Sequence, residues 1–448
     1  MSSYLTKLLA FLLFVAFIIG RYYGILFHNE SGTDYMSYAI TIVIFYGIYK
    51  AYWMISGKSK VSFSPLSLGL YTLLHIATLS FVFFGLTGGA NGGFVLFFKI
   101  FGYLILPILI TLISYGFAKK MLKSIGLSPM KEEDGRFHFL LTLGFAFVLF
   151  LTSLTILGSF GLYNLWSIGG ILVVFIFLSS KEILETLASL WTHRIELPNH
   201  RANGSFLEQI SLPLISSEFL FLVLTFLIGV NFVNIIRPMP IGWDDLGAYM
   251  NYPQIMANNG TILHGVGMTA WQVLTGIGFM FHSAPQAFFL NQIGGILSII
   301  VLAVVFSSLL KDEKKPLINL PLLGATMFYA MPMVIFQQAK DMKLDPGLFF
   351  VSVISVYGII YLLLEYKKSL EVDTDAEKAQ EKSLLHFFDH RHNLLLILIL
   401  GTIDGLAFAI KFTSLMLILG LIGVIFYAKL GLAGFLGYFA AFVAIFTK

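Results

Sequence analysis

The residues best able to do chemistry are a few aspartates and lysines in an otherwise apolar chain. Asp244 and Asp245 are adjacent in IGWDDLGAYMNYPQ, flanked by Trp243 and Tyr249. Only 12% of the 448 residues are charged, so two neighbouring carboxylates call for a reason. Such a pair can act as a general base, or bind a divalent metal or a phosphate-bound metal. It can equally cap a short helix running to Met256, because a carboxylate accepts the free N–H groups of a first turn.

A second acidic segment reads KDMKLDPG, with Lys340, Asp341, Lys343 and Asp345. Pro346 suits a first helical turn and makes Asp345 a candidate cap. The functional reading is that two carboxylate loops on one membrane face hold a divalent metal or position an acceptor, while Lys340 and Lys343 neutralise a phosphate. Asp404 and Lys411 fall within one apolar run, at a spacing that would put them on about the same helix face. Charges inside a span usually face a cavity or a partner, although a lysine near a helix end can also snorkel to the interface. His264 follows the acidic pair and could touch a phosphate, or simply lie at the surface. Lone Lys99 and His75 read as polar groups satisfied inside a bundle. No GxxxxGK[ST], HExxH or GxSxG pattern occurs, which argues against an ATP-driven pump, a zincin and a serine hydrolase.

The elements that must position these residues are transmembrane helices. The chain is 58% hydrophobic, with a mean hydropathy of +0.87. Soluble domains carry roughly 25% charged residues, so lipid must cover much of this surface. Apolar runs of about 20 residues recur, the length that crosses the hydrocarbon as a helix. The fold class expected is an all-α polytopic membrane protein with about thirteen spans. There is no cysteine, which removes thiol nucleophiles and thiolate metal sites. The net charge of +4 is spread over short segments between helices, a topology signal and not a nucleic-acid surface.

Charge asymmetry orders the spans. Lys7 puts the N-terminus in the cytoplasm, followed by spans near Leu5–Phe27, Tyr38–Ser56, Leu66–Leu86, Phe94–Phe117, Phe137–Leu157 and Leu165–Ser180. The basic segments Lys58/Lys60, Lys119/Lys120/Lys123 and His193–Arg201 are then cytoplasmic. Ile215–Ile236 exits to the outer face, where Arg237–Pro285 is the polar anomaly of the chain. Met268–Phe281 is apolar but only about 14 residues long, which suits an interfacial or re-entrant helix. The spans Phe288–Leu310, Leu317–Phe336, Leu348–Glu365, Leu394–Ile410, Thr413–Tyr427 and Gly431–Phe446 complete the alternation. Residues 1–212 thus form an N-terminal membrane module and residues 213–448 a second one that carries the chemistry.

From about Pro213 onward the chain resembles the GT-C type integral-membrane glycosyltransferases. These include protein O-mannosyltransferases and the transferases that place aminoarabinose or galacturonic acid on lipid A. The resemblance rests on WDDLGAY (Trp243–Tyr249), GVGMTAWQVLTGIGFMF with the span to KDEKK, LDPGLFF (Leu344–Phe350) and AIKFTSL (Ala409–Leu415), in that order. The chain departs from the family in placing about six spans before the acidic loop. It also has His264-Gly-Val-Gly-Met where a Pro-Pro-Leu-Tyr-like element is usual.

The resemblance implies transfer of a sugar from a polyprenyl-phosphate donor to a lipid, glycan or protein acceptor, with inversion, in cell-envelope glycosylation. The implied setting is the extracytoplasmic face of a plasma (inner) membrane. Asp244, Asp245 and Asp345 would be catalytic. Asp341, Lys340, Lys343, Lys411, His264 and Tyr249 would contact substrate. A divalent cation, Mg or Mn, is an optional cofactor with Asp244 and Asp345 as its ligands. A transporter or flippase for a lipid-linked or anionic solute is the alternative. It would use Asp404 and Lys411 as its pathway and should show inverted repeats, none of which is evident.

Overall fold

The computed structural model describes residues 60–85, 90–127, 135–192, 195–198, 217–236, 245–263, 270–309, 320–331, 334, 341–372, 391–415, 418–422 and 439. The elements begin with β1 (Lys60–Phe63), α1 (Pro65–Gly85), α2 (Ala90–Ser124), α3 (Gly135–Ser159), α4 (Leu165–Thr192), β2 (Ile195–Pro198) and α5 (Ser217–Ile235). A π-helical turn (Asp245–Tyr249) leads into α6 (Asn251–Asn259), α7 (Ala270–Met280), α8 (Ala284–Leu309) and α9 (Leu320–Tyr329). Then follow α10 (Asp345–Val372), α11 (Arg391–Ile410) and a 3-10 turn (Phe412–Ser414).

Among the described residues, six helices are long and apolar enough to cross a membrane: Gly92–Ser124, Gly135–Ser159, Leu165–Thr192, Ala284–Ser308, Asp345–Glu365 and His392–Ile410. Each falls on a span expected from hydropathy. The expected spans Leu5–Phe27 and Tyr38–Ser56, Gly431–Phe446 apart from Phe439, and about half of Thr413–Tyr427 lie outside the described residues, and the total of about thirteen is an expectation from hydropathy. Where a full span was expected over Leu317–Phe336, the described helix α9 covers only Leu320–Tyr329. The helices hold because their apolar side chains point in every direction, which suits a helix buried by neighbours or by lipid. On α4, Phe177 is 82% exposed and Val173 64% exposed, an apolar face that water would not tolerate.

The chain divides into two compact units, each drawing on residues from both sides of Pro213. The first comprises residues 1–105, 187–241 and 305–341. In it α5 packs against α1 and α9. Asn231 Nδ2 donates to Tyr329 Oη at 2.8 Å, joining α5 to α9. β1 and β2 pair antiparallel with Lys60 opposite Pro198 and Phe63 opposite Ile195. This ribbon joins two stretches that charge asymmetry had put on the same side of the membrane.

The second unit comprises residues 106–186, 242–304 and 342–448. Its axis is α3, which packs against α7, α10 and α11. Phe137 stacks on Tyr361 at 4.0 Å, while Phe147 meets Phe350 edge-on at 5.4 Å, so α10 runs antiparallel to α3. His138 lies 6.5 Å from His392, and Ile403 closes on Gly144, so α11 runs parallel to α3. The start of α10 and the end of α11 therefore meet at the end of the unit where α3 terminates. That is also the end where the α3–α4 loop joins the segment after α6: Tyr163 N–H donates to Gly260 at 2.9 Å and Ile262 N–H to Gly158 at 3.1 Å.

Candidate functional site

α10 starts at Asp345, where the Leu348 N–H bonds the Leu344 carbonyl at 2.9 Å. Pro346 is tolerated in this first turn because its missing N–H would have no helical partner there. Asp345 was a candidate cap, but it occupies the first helical position and its carboxylate turns elsewhere. Lys411 Nζ donates to Asp345 Oδ1 at 2.7 Å. The Lys411 and Asp345 side chains keep 24% and 32% of their surface, so the pair is shielded yet reachable. The helix N-terminus favours the aspartate charge in its own right.

Lys411 reaches that position because α11 has already ended. Its backbone is extended, with φ −157° and ψ 125°, and its N–H closes the last turn on Ala407 at 3.1 Å. The expectation that Asp404 and Lys411 share one helix face is thus corrected: Asp404 is fully buried within α11, and Lys411 lies beyond it. The Lys411 ammonium does not stand alone at the end of the helix but is held by Asp345.

A buried framework supports the turn before α10. Trp271 on α7 is fully buried and stacks on Phe147 of α3 at 5.7 Å. Its indole Nε1 donates to Asn291 Oδ1 on α8 at 3.0 Å, and Asn291 Nδ2 donates to the Lys343 carbonyl at 3.2 Å. Ser298 Oγ bonds the Gly294 carbonyl at 2.7 Å and the Pro346 carbonyl at 3.3 Å. A methyl group on Gly347 would come within 2.6 Å of the Trp271 ring, and one on Gly294 within 2.6 Å of the Gly347 nitrogen. Two helices, α7 and α8, are thereby packed against the LDPG turn with no space to spare.

Two expectations change here. The KDMKLDPG segment, expected as an outer loop, packs inward in part, with Asp341, Met342 and Leu344 each at most 1% exposed. The apolar Met342 and Leu344 draw the strand of chain inward. The segment Met268–Phe281 is too short to span, as its length implied, but it does not lie with one face on lipid. Every residue of α7 from Ala270 to Phe279 is buried, as befits a helix apolar all round.

Asp245 opens the π-helical turn that packs on α6, and α6 packs on α7, which carries Trp271. Tyr163 ties the α3–α4 loop into this stack: its hydroxyl donates to the Val273 carbonyl, and burial pushes the phenol pKa up. Tyr249 is half-buried in the π turn. The N-cap of α6 is Met250, with no side-chain bond, and the helical stretch already begins with the π turn at Asp245. Asp244, Trp243, His264, Lys340 and the side chain of Asp245 lie outside the described residues.

Of the nominated site residues, Asp345 and Lys411 are brought into contact, and Lys343, two residues before Asp345, has its backbone carbonyl held by Asn291. Asn291, Trp271, Ser298 and Gly294 were not singled out, because each sits in an apolar run where only the fold reveals its partner. Among the described residues, no group of three or more His, Cys, Asp or Glu is placed to hold a metal ion. Of the two carboxylates nominated as metal ligands, Asp345 already faces an ammonium through Oδ1, which a cation on the same oxygen would meet as like charge. No family model, curated protein or solved structure matches the chain.

Proposed function

We propose that this chain is an integral-membrane glycosyltransferase of the GT-C kind, moving a sugar from a polyprenyl-phosphate donor to an acceptor hydroxyl or amine at the extracytoplasmic face. The observation that carries the reading is the ion pair between Asp345, at the head of α10, and Lys411, just past the end of α11. A partly exposed lysine at the end of a helical bundle is suited to a lipid phosphate, and a carboxylate beside it is suited to taking a proton. In the proposed step the acceptor oxygen or nitrogen forms a bond to the anomeric carbon as the bond from that carbon to the phosphate oxygen breaks. The electron pair leaves with the polyprenyl phosphate, whose growing charge Lys411 neutralises. The acceptor proton passes to a carboxylate, from Asp345 or from the Asp244–Asp245 pair. A single displacement inverts the anomeric centre.

The Trp271–Asn291–Lys343 chain of hydrogen bonds supports the reading through positioning. It fixes the backbone immediately before Asp345, and a carboxylate held in place loses less on reaching the transition state. The test is incubation of the purified chain with short-chain polyprenyl-phosphate sugars and candidate acceptors, with mass detection of the glycosylated product. Release of polyprenyl phosphate without a sugar-bearing product would indicate hydrolysis, and no turnover with any sugar would remove the proposal.

A further inference from the structure

The charges of α2 and α4 gather at the opposite end of the second unit from Asp345. Lys119 Nζ lies 3.1 Å from Glu185 Oε2, and Lys123 and Lys181 are close enough to act on the same carboxylate. Tyr115, one turn before Lys119, packs at 5.7 Å on Phe139 near the start of α3. From Phe139 to Ser159 the helix rises about 30 Å, one hydrocarbon thickness. The two helices are locked together beside the lysines: Phe117 stacks on Phe175 at 4.0 Å, and Gly116 lets the Ile183 backbone approach closely. The cluster is therefore built on rigid elements.

We infer that this end of α2 and α4 binds the phosphate of an anionic phospholipid, with Lys119, Lys120, Lys123 and Lys181 as its cationic contacts. Among the described residues, Lys119, Lys123 and Lys181 all act on the one exposed carboxylate of Glu185, while Glu182 is buried. Lys120, Lys123 and Lys181 are exposed. The Lys119–Glu185 pair is exposed on both sides, with 37% and 42% of the side chains accessible, so it holds weakly and can be exchanged for a phosphate. Exposed apolar side chains flank the lysines on α4, with Phe177 82% and Leu184 65% accessible. A free anion would have no use for that surface, whereas the acyl chains of a phospholipid would cover it. The α4 backbone breaks from helical geometry at Ser179, with φ −130° and ψ 24°, between Phe177 and Lys181, where the lining changes from apolar to charged.

The experiment uses the purified full chain in a neutral detergent, with lipid retention read by native mass spectrometry. The probes are phosphatidylglycerol, phosphatidylcholine and soluble glycerol phosphate. Phosphatidylglycerol should be retained at least tenfold over phosphatidylcholine, and glycerol phosphate should not displace it. The variant K120Q/K123Q/K181Q should lose retention by on the order of 100-fold, taking roughly fivefold per lysine at a membrane surface. Glu185→Gln should raise retention severalfold, because it removes the competing carboxylate, and this arm remains informative if the triple variant folds poorly. Equal retention of the two lipids, displacement by glycerol phosphate, or no change in Glu185→Gln would each overturn the assignment. So would a triple variant that loses thermal stability without losing lipid, since the lysines would then serve only Glu185 and the C-terminus of α2.

Discussion

Asp345 and Lys411 are separated by a whole helical hairpin in sequence, yet their charged atoms lie 2.7 Å apart. A contact of this kind requires two helix ends to be set at one level. Here α10 and α11 pack antiparallel along their length, with Gly358 taking Leu400 against its backbone. Charge-assisted bonds of this type contribute about 1–3 kcal/mol. Asp345→Asn and Lys411→Met should therefore each lower stability in detergent by that order. The double variant should cost less than the sum of the two, because the second change removes a partner already lost. Thermal unfolding of the four proteins measures this coupling, and strict additivity would show that the contact does not form.

The glycines of the site predict a second result. Gly347→Ala drives a methyl group into the Trp271 indole, and Gly294→Ala drives one into the Gly347 backbone. Overpacking of this kind costs about 1–3 kcal/mol. The neighbouring atoms are a ring and a main chain, neither of which can swing away. Both variants should unfold several degrees below the parent. Gly102→Ala on α2, where nothing lies within 4 Å of the added carbon, should not.

Asn291 gives a third. It bonds the indole of Trp271 and the carbonyl of Lys343 at once. Asn291→Leu keeps the branching at Cγ and orphans both groups, at about 1–3 kcal/mol each. The expected outcome is a lower unfolding temperature together with slower sugar transfer, because the turn that carries Asp345 is no longer pinned. Asn291→Asp, which sets a buried carboxylate against the Lys343 carbonyl oxygen, should be destabilised at least as much at neutral pH. Equal stability of all three proteins would show that the network does not hold the turn.

The architecture was legible in the sequence wherever one physical signal dominated. Six long apolar runs became six long helices, and two of the three basic segments placed on one side do meet, the stretch around Lys60 pairing with Ile195–Pro198. Pattern reading failed where tertiary packing overrode it. Helical spacing put Lys411 on the face of Asp404, but spacing cannot tell that α11 ends at Ile410. The outer-loop reading of the Asp341–Asp345 segment did not show that Met342 and Leu344 are buried. Trp271 and Asn291 were invisible as a pair, since nothing in either local sequence encodes a partner on another helix.

The alternation of spans predicts a fourth result. The chain has no cysteine, so single cysteines report without background. Lys120→Cys, at the basic end of α2, and Phe412→Cys, beside Lys411 and 57% exposed, should react with an impermeant maleimide from opposite sides of sealed membranes. Phe412→Cys should label from the outer face and Lys120→Cys only after permeabilisation. Labelling of both from one side would contradict the assignment of Asp345 and Lys411 to the extracytoplasmic end.

The account turns on whether Asp345 and Lys411 serve a sugar transfer from a lipid phosphate. The most direct measurement is the initial rate of product formation from a short-chain polyprenyl-phosphate sugar by the purified parent, Asp345→Asn and Lys411→Met, each first shown to be folded. The expected result is turnover by the parent and a loss of at least about 100-fold in each variant, the scale set by removing a positioned proton acceptor or charge partner. Parental rates in both variants would contradict the account, leaving the ion pair as a structural clasp between two helix ends.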